Sequence, residues 1–360
     1  MSQGWVSPFP DPMHVLLLRA GLESGDAAID VFSQWSARND LREPVDEATF
    51  SLLPQAYHNL SRLGCESPQM ALLKGVYRHS WAATQLQLKR AVQVVSLVAD
   101  AGVELMASKG LALVRDYYAS PALRPITDIE LYVPRRQALA AVRALEASGW
   151  SADAHWRSSP EHTMVRRPSV LLHDSSGAKV ELCWDILSEC QSQQSNDRFW
   201  AHSESFSILD GSLRRPNSTY LLLHIIVAGV RYTPFSPVRW VNDAAMVLRR
   251  DDQPVDWSEL HDAARQAMVS HRLLMGLRYL RDTLGFDVVL PAETPPTTAV
   301  ERIESRFFLR DHASMSHRAR HRSAVFAYLA RLLSSDRRRH LPSLLLRKVA
   351  RNLRRPSARA

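Results

Sequence analysis

Two acidic residues in a strand-like segment are the side chains best placed for chemistry. Asp128 and Glu130 lie two apart in residues 124–133, RPITDIELYV, whose Ile, Leu, Tyr and Val favour a β-strand. Side chains two apart on a strand point to the same side, so we expect the carboxylates to lie together. Such a pair repels itself unless cations bind it, and carboxylate oxygens suit Mg²⁺. The alternative is that both acids lie on the solvated face of an amphipathic strand.

A third acid, Glu181, lies in a second strand-like segment, residues 179–184, KVELCW. If this strand is a neighbour of the first, three carboxylates converge. Such a cluster suits two divalent ions about 4 Å apart, which stabilise the attacking and leaving oxygens of phosphoryl transfer. The acids therefore predict metal-dependent phosphoryl-transfer chemistry.

A short turn could supply the phosphate-binding part of the same site. Ser108, Lys109 and Gly110 follow an apolar run and open a helix-like segment, and Gly110 precedes Asp128 by eighteen residues. Backbone N–H groups and a cation at such a turn attract anions. Arg124 also lies close enough in sequence to reach a phosphate. The alternatives are an ordinary strand-to-helix turn and a surface arginine.

Other polar residues are given structural interpretations. Arg239 and Asp243, four apart in a helical segment, predict an ion pair on one helix face, with lining of a substrate cleft as the alternative. His224 lies in a very apolar helix and is predicted to be a hydrogen-bonded core histidine. Cys183 is predicted to pack as a small apolar side chain beside Trp184.

Composition is that of an ordinary globular protein. The chain has 360 residues, 46% hydrophobic and 23% charged, which is enough for one large or two smaller domains. Three cysteines do not suggest a disulfide framework and suit a reducing compartment, so a cytoplasmic location is predicted. The longest apolar run, residues 221–230, is too short to span a bilayer.

Positive charge is concentrated at the C-terminal end. The net charge is +8, but residues 318–360 contain 13 Lys and Arg and one acid, which leaves −4 for the remainder. This segment is predicted to be a solvated basic surface. Contact with nucleic acid is the alternative.

The elements needed to position these residues divide the chain into four regions. A helical region over 1–100 precedes an α/β core over 101–212, a helical domain over 213–290 and basic C-terminal helices with a tail over 291–360. The pattern therefore predicts an α+β fold, a mixed-sheet core flanked by helical regions. Strands are expected at residues 103–106, 126–133, 162–166, 169–173 and 179–184. Helices are expected at residues 72–100, 111–118, 135–148, 221–230, 238–248, 257–267 and 272–284.

Several of these segments together resemble a known family. They are residues 106–113 (MASKGLAL), 123–133, 180–184 (VELCW), 221–224 (LLLH), Arg239-Trp240, Asp243 and Asp256-Trp257. Residues 10–290 resemble the bacterial uncharacterised nucleotidyltransferase family, which is related to the abortive-infection toxin nucleotidyltransferases of the polymerase-β-like superfamily.

The resemblance implies an enzyme that uses Mg²⁺ and a nucleoside triphosphate, with ATP expected as the donor. Asp128, Glu130 and Glu181 would be catalytic metal ligands. Ser108, Lys109 and Gly110 would hold the triphosphate, with Arg124 reaching a phosphate. The acceptor is not identified and could be a small molecule, a peptide or RNA.

Three positions depart from the family pattern. Glu130 stands where a second aspartate is usual, and Cys183 and Ala228 stand where histidines are frequent. The alternative implied by these departures is a catalytically degenerate nucleotide-binding or scaffold protein of the same fold.

Overall fold

The computed structural model of the chain describes residues 7–188, 190, 192–208, 211–231, 238–293 and 298–308. Within these residues, a seven-stranded mixed sheet is combined with fourteen α-helices. The predicted α+β fold is confirmed. Buried apolar side chains from the N-terminal helices, the sheet and the later helices form one continuous core.

The sheet contains both parallel and antiparallel neighbours. Its strands are β1 Met106–Ala107, β2 Ile129–Tyr132, β3 Ser151–Ala152, β4 Ser169–His173, β5 Lys179–Cys183, β6 Ser203–Ile208 and β7 Gly211–Pro216. Their order is β3-β4-β5-β2-β1-β7-β6. The β2–β5 and β1–β7 pairs are parallel, and the other pairs are antiparallel. In β2 all residues except Glu130 are buried, as expected for a central strand covered on both sides.

The helices surround this sheet. They are α1 Pro12–Leu22, α2 Asp26–Ser36, α3 Glu47–Arg62, α4 Met70–Asp100, α5 Gly110–Asp116, α6 Ala138–Ala147, α7 Ala154–Ser158, α8 Pro160–Arg166, α9 Gln193–Ala201, α10 Ser218–Gly229, α11 Arg239–Leu248, α12 Trp257–Gln266, α13 Ser270–Leu284 and α14 Ala299–Phe308. Short 3₁₀ helices span Pro121–Leu123 and Arg135–Gln137. None of the helices in the described ranges is both long and apolar enough to cross a bilayer.

Helix α10 lies at the centre of the helical layer. It is apolar around its whole circumference, and almost all of its residues are buried, as expected for a helix enclosed on every side. It packs against α11, α12, α13 and β7. At its end, a Cβ on Gly229 would lie 2.2 Å from Trp240, so only glycine permits the close approach of α10 and α11.

The long helix α4 anchors the segment that leads into β2. Ser80 Oγ donates to the Ala122 carbonyl over 2.6 Å, and the Tyr77 hydroxyl donates to Ser120 Oγ over 2.9 Å. Both acceptors belong to the 3₁₀ turn just before Arg124. These contacts fix the position at which Arg124 and the following acids leave the turn.

The strand predicted at residues 162–166 is wrong, because this segment belongs to helix α8. Pro160 stands in the first turn, where its missing N–H costs nothing. The Thr163 hydroxyl donates to the Ser159 and His155 carbonyls, which ties the helix to the preceding one.

The β6–β7 hairpin was not predicted, since its sequence contains many Ser and Arg residues and few β-branched ones. The tail predicted from the basic C-terminal composition lies outside the described residues, apart from the segment that contains α14.

Candidate active site

A cavity of about 560 Å³ lies between the strand edge formed by β1, β2 and β5 and the helices α10 and α11. Its volume is in the range of small-molecule binding sites. The residues predicted from sequence as site residues all line it: Ser108, Lys109, Gly110, Arg124, Asp128, Glu130 and Glu181. The remaining wall includes Cys183, His224, Arg239 and Asp243.

The three acids meet at one side of this cavity because of strand pairing. Glu130 on β2 and Glu181 on β5 are register partners in parallel strands. Asp128 directly precedes β2 and is exposed. Burial raises the pKa of Glu181, and the negative charges of Glu130 and Asp128 raise this pKa further, against an opposing hydrogen bond from Ser169. The carboxylates are therefore close enough to influence one another.

Glu130 is held by a lysine and a tyrosine. Lys109 Nζ lies 3.0 Å from one carboxylate oxygen and 2.9 Å from the other. The Tyr132 hydroxyl donates to the same carboxylate. Burial opposes ionisation, but the charge of Lys109 and the Tyr132 hydrogen bond help to lower the pKa of Glu130 to about 2. Glu130 is consequently a carboxylate at neutral pH.

Lys109 has an unusual backbone conformation. Its φ of 51° lies in the left-handed region, which residues other than glycine rarely adopt. The residue forms the turn between β1 and α5, directly before Gly110. Strain of this kind persists where the surrounding contacts impose it, and it occurs often at functional sites. Here the conformation directs the side chain to Glu130.

A buried histidine connects α10 to the end of β1 and to β2. His224 Nδ1 lies 2.7 Å from Ser108 Oγ, and its Nε2 lies 3.5 Å from the Tyr132 hydroxyl. His224 and Ser108 are each 1% exposed. His224 is thus a buried, hydrogen-bonded histidine as predicted, and it also forms part of the cavity wall, which the sequence did not indicate.

An ion pair connects α11 to the segment before β2. Arg124 Nε donates to one oxygen of Asp243 over 2.7 Å, and its Nη2 donates to the other over 2.9 Å. The Tyr118 hydroxyl also donates to Asp243, over 2.7 Å. The predicted ion pair between Arg239 and Asp243 is therefore wrong. Arg124 donates to both oxygens of Asp243, which is the two-pronged geometry that a carboxylate prefers. Arg239, one turn earlier on α11, makes no such contact with Asp243.

Comparison with known protein families identifies the family of this chain. A family model described as uncharacterised nucleotidyltransferase matches residues 48–285, about two thirds of the chain. The chain belongs to this family. The resemblance to this family that the sequence suggested is confirmed, and the matched range includes every cavity residue discussed above. A search of the curated proteins found no match.

Membership of the nucleotidyltransferase family supports nucleotidyl transfer in general and implies a nucleotide substrate. The cavity suits such a substrate, because cationic side chains and carboxylates line the same cavity. Its cationic side chains include Lys109 and Arg124, which could contact phosphates, and its three acids carry oxygens of the type that binds a cation.

The donors match Mg²⁺ in chemical type but not in their present spacing. Asp128, Glu130 and Glu181 offer carboxylate oxygens to one cavity. In the part of the chain that the structure describes, no three His, Cys, Asp or Glu side chains are grouped closely enough to hold a metal ion as they stand. Glu130 would have to exchange its contact with Lys109 for one with the ion.

One further wall residue, Cys183, was interpreted from the sequence as structural. Cys183 is buried beside Trp184 as predicted, and its Sγ lies 4.0 Å from Glu130. Burial raises the pKa of Cys183 well above its usual value, as do the charges of Glu130 and Glu181. Cys183 is thus a neutral thiol in the wall. Its position follows from the register of β5 against β2, which local pattern does not reveal.

Ionised Glu130 should make stability depend on pH. A carboxyl whose pKa falls from 4.5 to about 2 on folding stabilises the protein above pH 4.5, and this contribution is lost as the pH falls towards 2. We expect the advantage of wild type over Glu130→Gln in free energy of unfolding to be greater at pH 7 than near pH 2, by on the order of 3 kcal/mol. The difference should shrink below pH 4.5 in urea denaturation series.

The Lys109→Met variant serves as the companion measurement. It removes the favourable charge, so the pKa of Glu130 in the folded protein should rise towards 4.5 and the pH-dependent contribution of Glu130 to stability should become smaller. A difference between wild type and Glu130→Gln that stays constant from pH 7 to pH 3 would contradict the assignment.

Proposed function

We propose that the protein is an Mg²⁺-dependent nucleotidyltransferase that moves a nucleoside monophosphate from a nucleoside triphosphate to an acceptor. The observation that supports this most directly is the register pairing of Glu130 with Glu181, with Asp128 beside them in the same cavity. Family membership supports the reaction class. ATP is the donor we propose to test first.

Asp128, Glu130 and Glu181 are the residues that would hold Mg²⁺. When bound, the ion supplies positive charge that stabilises the phosphate oxygens during transfer. The remaining contributions are made by the chain itself, and they consist mainly of positioning and electrostatic stabilisation.

The phosphates of the donor would lie on the turn formed by Ser108, Lys109 and Gly110, with Arg124 alongside. The acceptor oxygen attacks the α-phosphorus and forms the new P–O bond. The bond from that phosphorus to the oxygen bridging to the β-phosphate breaks, and pyrophosphate leaves. The ammonium group of Lys109, which belongs to this turn, balances negative charge on the phosphates.

Glu181 is the residue we assign to the proton of the acceptor. Burial and its acidic neighbours raise the pKa of Glu181, which makes its carboxylate a stronger base. Its hydrogen bond with Ser169 fixes the orientation of the side chain at the cavity wall. The proton of the acceptor hydroxyl would pass to Glu181 as the new bond forms; the alternative is that Glu181 contributes by organising the ion.

A second candidate is a nucleotide-binding or scaffold protein that has lost transfer activity. The Lys109–Glu130 ion pair favours it, since this contact engages one of the three acids. Cys183 also departs from the histidine that the resemblance to the family implies at this position. Such a protein would bind nucleotide and leave it intact.

The two candidates differ in the fate of labelled nucleotide. The full chain is incubated with Mg²⁺, cell extract and ATP labelled at either the α- or the γ-phosphate. Transfer of the α-label to an acceptor, with release of pyrophosphate, supports the proposal. Transfer of the γ-label alone would instead indicate a kinase. Nucleotide binding by calorimetry with no transfer of either label would support the second candidate.

A further inference from the structure

Arg239 is a cation of the cavity wall that makes no direct ion pair with a carboxylate of the described residues. It begins α11, is half-buried, and lines the cavity. Its Nη1 donates to the Pro125 carbonyl over 3.3 Å. No Asp or Glu oxygen of the described ranges lies within 4.0 Å of its guanidinium. A partly buried charge without a counter-ion is costly, so its presence in a cavity points to an anionic ligand.

Arg239 continues a line of anion-binding groups that begins at the turn before α5. A Cβ at Gly110 would lie 3.8 Å from the Arg124 guanidinium, so this turn and Arg124 are in contact. Arg124 Nη1 donates to the Pro125 carbonyl over 2.9 Å, and Arg239 donates to the same oxygen. The two guanidinium groups therefore share one acceptor, and Arg124 is the one that supplies the atoms nearest Gly110.

The charges along this line are unequal. Asp243 accepts from both Nε and Nη2 of Arg124 and thereby balances that guanidinium. Burial and the neighbouring charge of Arg124 lower the pKa of Arg239, against the opposing charges of Asp243, Asp128 and Glu47. Arg239 has no such carboxylate contact, and its planar guanidinium is suited to two-pronged contact with phosphate.

We propose that Arg239 binds the γ-phosphate of the donor and thereby selects triphosphates over diphosphates. The inference rests on the proposed function, which places the phosphates of the donor on the turn at Ser108–Gly110. A chain of phosphates that starts at this turn and follows the wall past Arg124 ends at Arg239. The ligand of Arg239 is then the terminal phosphate.

The test compares nucleotide affinities by calorimetry with Mg²⁺. Wild type, Arg239→Gln and Arg239→Lys are each titrated with ATP, ADP and AMP. We expect wild type to bind ATP at least about tenfold more tightly than ADP. Arg239→Gln should weaken ATP binding roughly ten- to hundredfold, the loss expected for a charged hydrogen-bonding group, and leave ADP and AMP within about threefold.

Two variants serve as controls. Arg249→Gln removes the same charge just beyond the other end of α11, outside the cavity, from a guanidinium that also donates to a carbonyl, that of Leu22. It should leave all three affinities unchanged. Arg239→Lys keeps the charge but lacks the planar fork, so it should fold as wild type and bind ATP with intermediate affinity.

The outcomes separate this inference from the proposed function. Unchanged ATP affinity in both Arg239 variants, with the preference over ADP retained, would overturn the inference. So would intact ATP binding accompanied by loss of transfer, because Arg239 would then serve the acceptor. If wild type binds no nucleotide, the proposed function fails as well.

Discussion

Replacing Asp128 by asparagine is expected to reduce transfer of the α-label from ATP by at least about a hundredfold. Asp128 is exposed beside Glu130 and Glu181, and it accepts a 3.0 Å hydrogen bond from the Thr127 hydroxyl. The substitution therefore removes negative charge from the proposed cation site with little effect on packing. Losing one oriented charged group from an active site commonly costs this much or more. Initial rates of label transfer at saturating ATP provide the measurement.

The matched control for this variant is Asp100→Asn, which removes an exposed aspartate at the end of α4, away from the cavity. It should transfer label at the wild-type rate. Both variants should melt within a few degrees of wild type. Unchanged transfer in Asp128→Asn would remove the proposed site, whatever the behaviour of the control.

The Asp243→Asn variant is expected to lower the free energy of unfolding by about 3–5 kcal/mol, the usual cost of removing one partner of a buried ion pair. The side chains of Arg124 and Asp243 are 12% and 5% exposed. Without the carboxylate, the Arg124 guanidinium remains buried and loses both of its charged contacts. Urea denaturation monitored by tryptophan fluorescence gives the free energy.

Two comparisons isolate the pair from other effects. Adding Arg124→Gln to Asp243→Asn should restore part of the lost stability, because the stranded charge is then gone. Glu104→Gln breaks the exposed pair with Arg136, whose side chains are 50% and 73% exposed, and should cost about 0–1 kcal/mol. A loss below about 1 kcal/mol in Asp243→Asn would show that the buried pair contributes no more than a surface one.

Local patterns predicted the strand that holds Glu181 and its antiparallel neighbour. Strand β4 has the predicted bounds, Ser169–His173, and β5 ends one residue before its predicted end. Both are short alternating or apolar runs that turn residues delimit, so their signal is contained within a few positions. Glu181 can join the other acids only if β5 lies beside β2, which the local pattern could not predict. The structure places the two strands together.

Interactions between distant segments were harder to predict. The local rule for residues four apart on a helix favoured Arg239 as the partner of Asp243. The actual partner, Arg124, lies 119 positions away in the sequence. His224 was equally ambiguous, since one polar residue in an apolar helix is compatible with core or cavity. Only the packing of α10 beside Ser108 and Tyr132 shows that it borders the cavity.

The contact between Lys109 and Glu130 has a thermodynamic consequence for ligands of opposite charge. One ammonium group cannot neutralise this carboxylate and a phosphate equally well at the same time. An anion that draws Lys109 away leaves Glu130 more attractive to a cation, and a cation that replaces Lys109 frees it for the anion. By reciprocity, each ligand then strengthens the binding of the other by the same factor. A single exchange of partners within one cavity is sufficient for such cooperation, and no movement of whole domains is required.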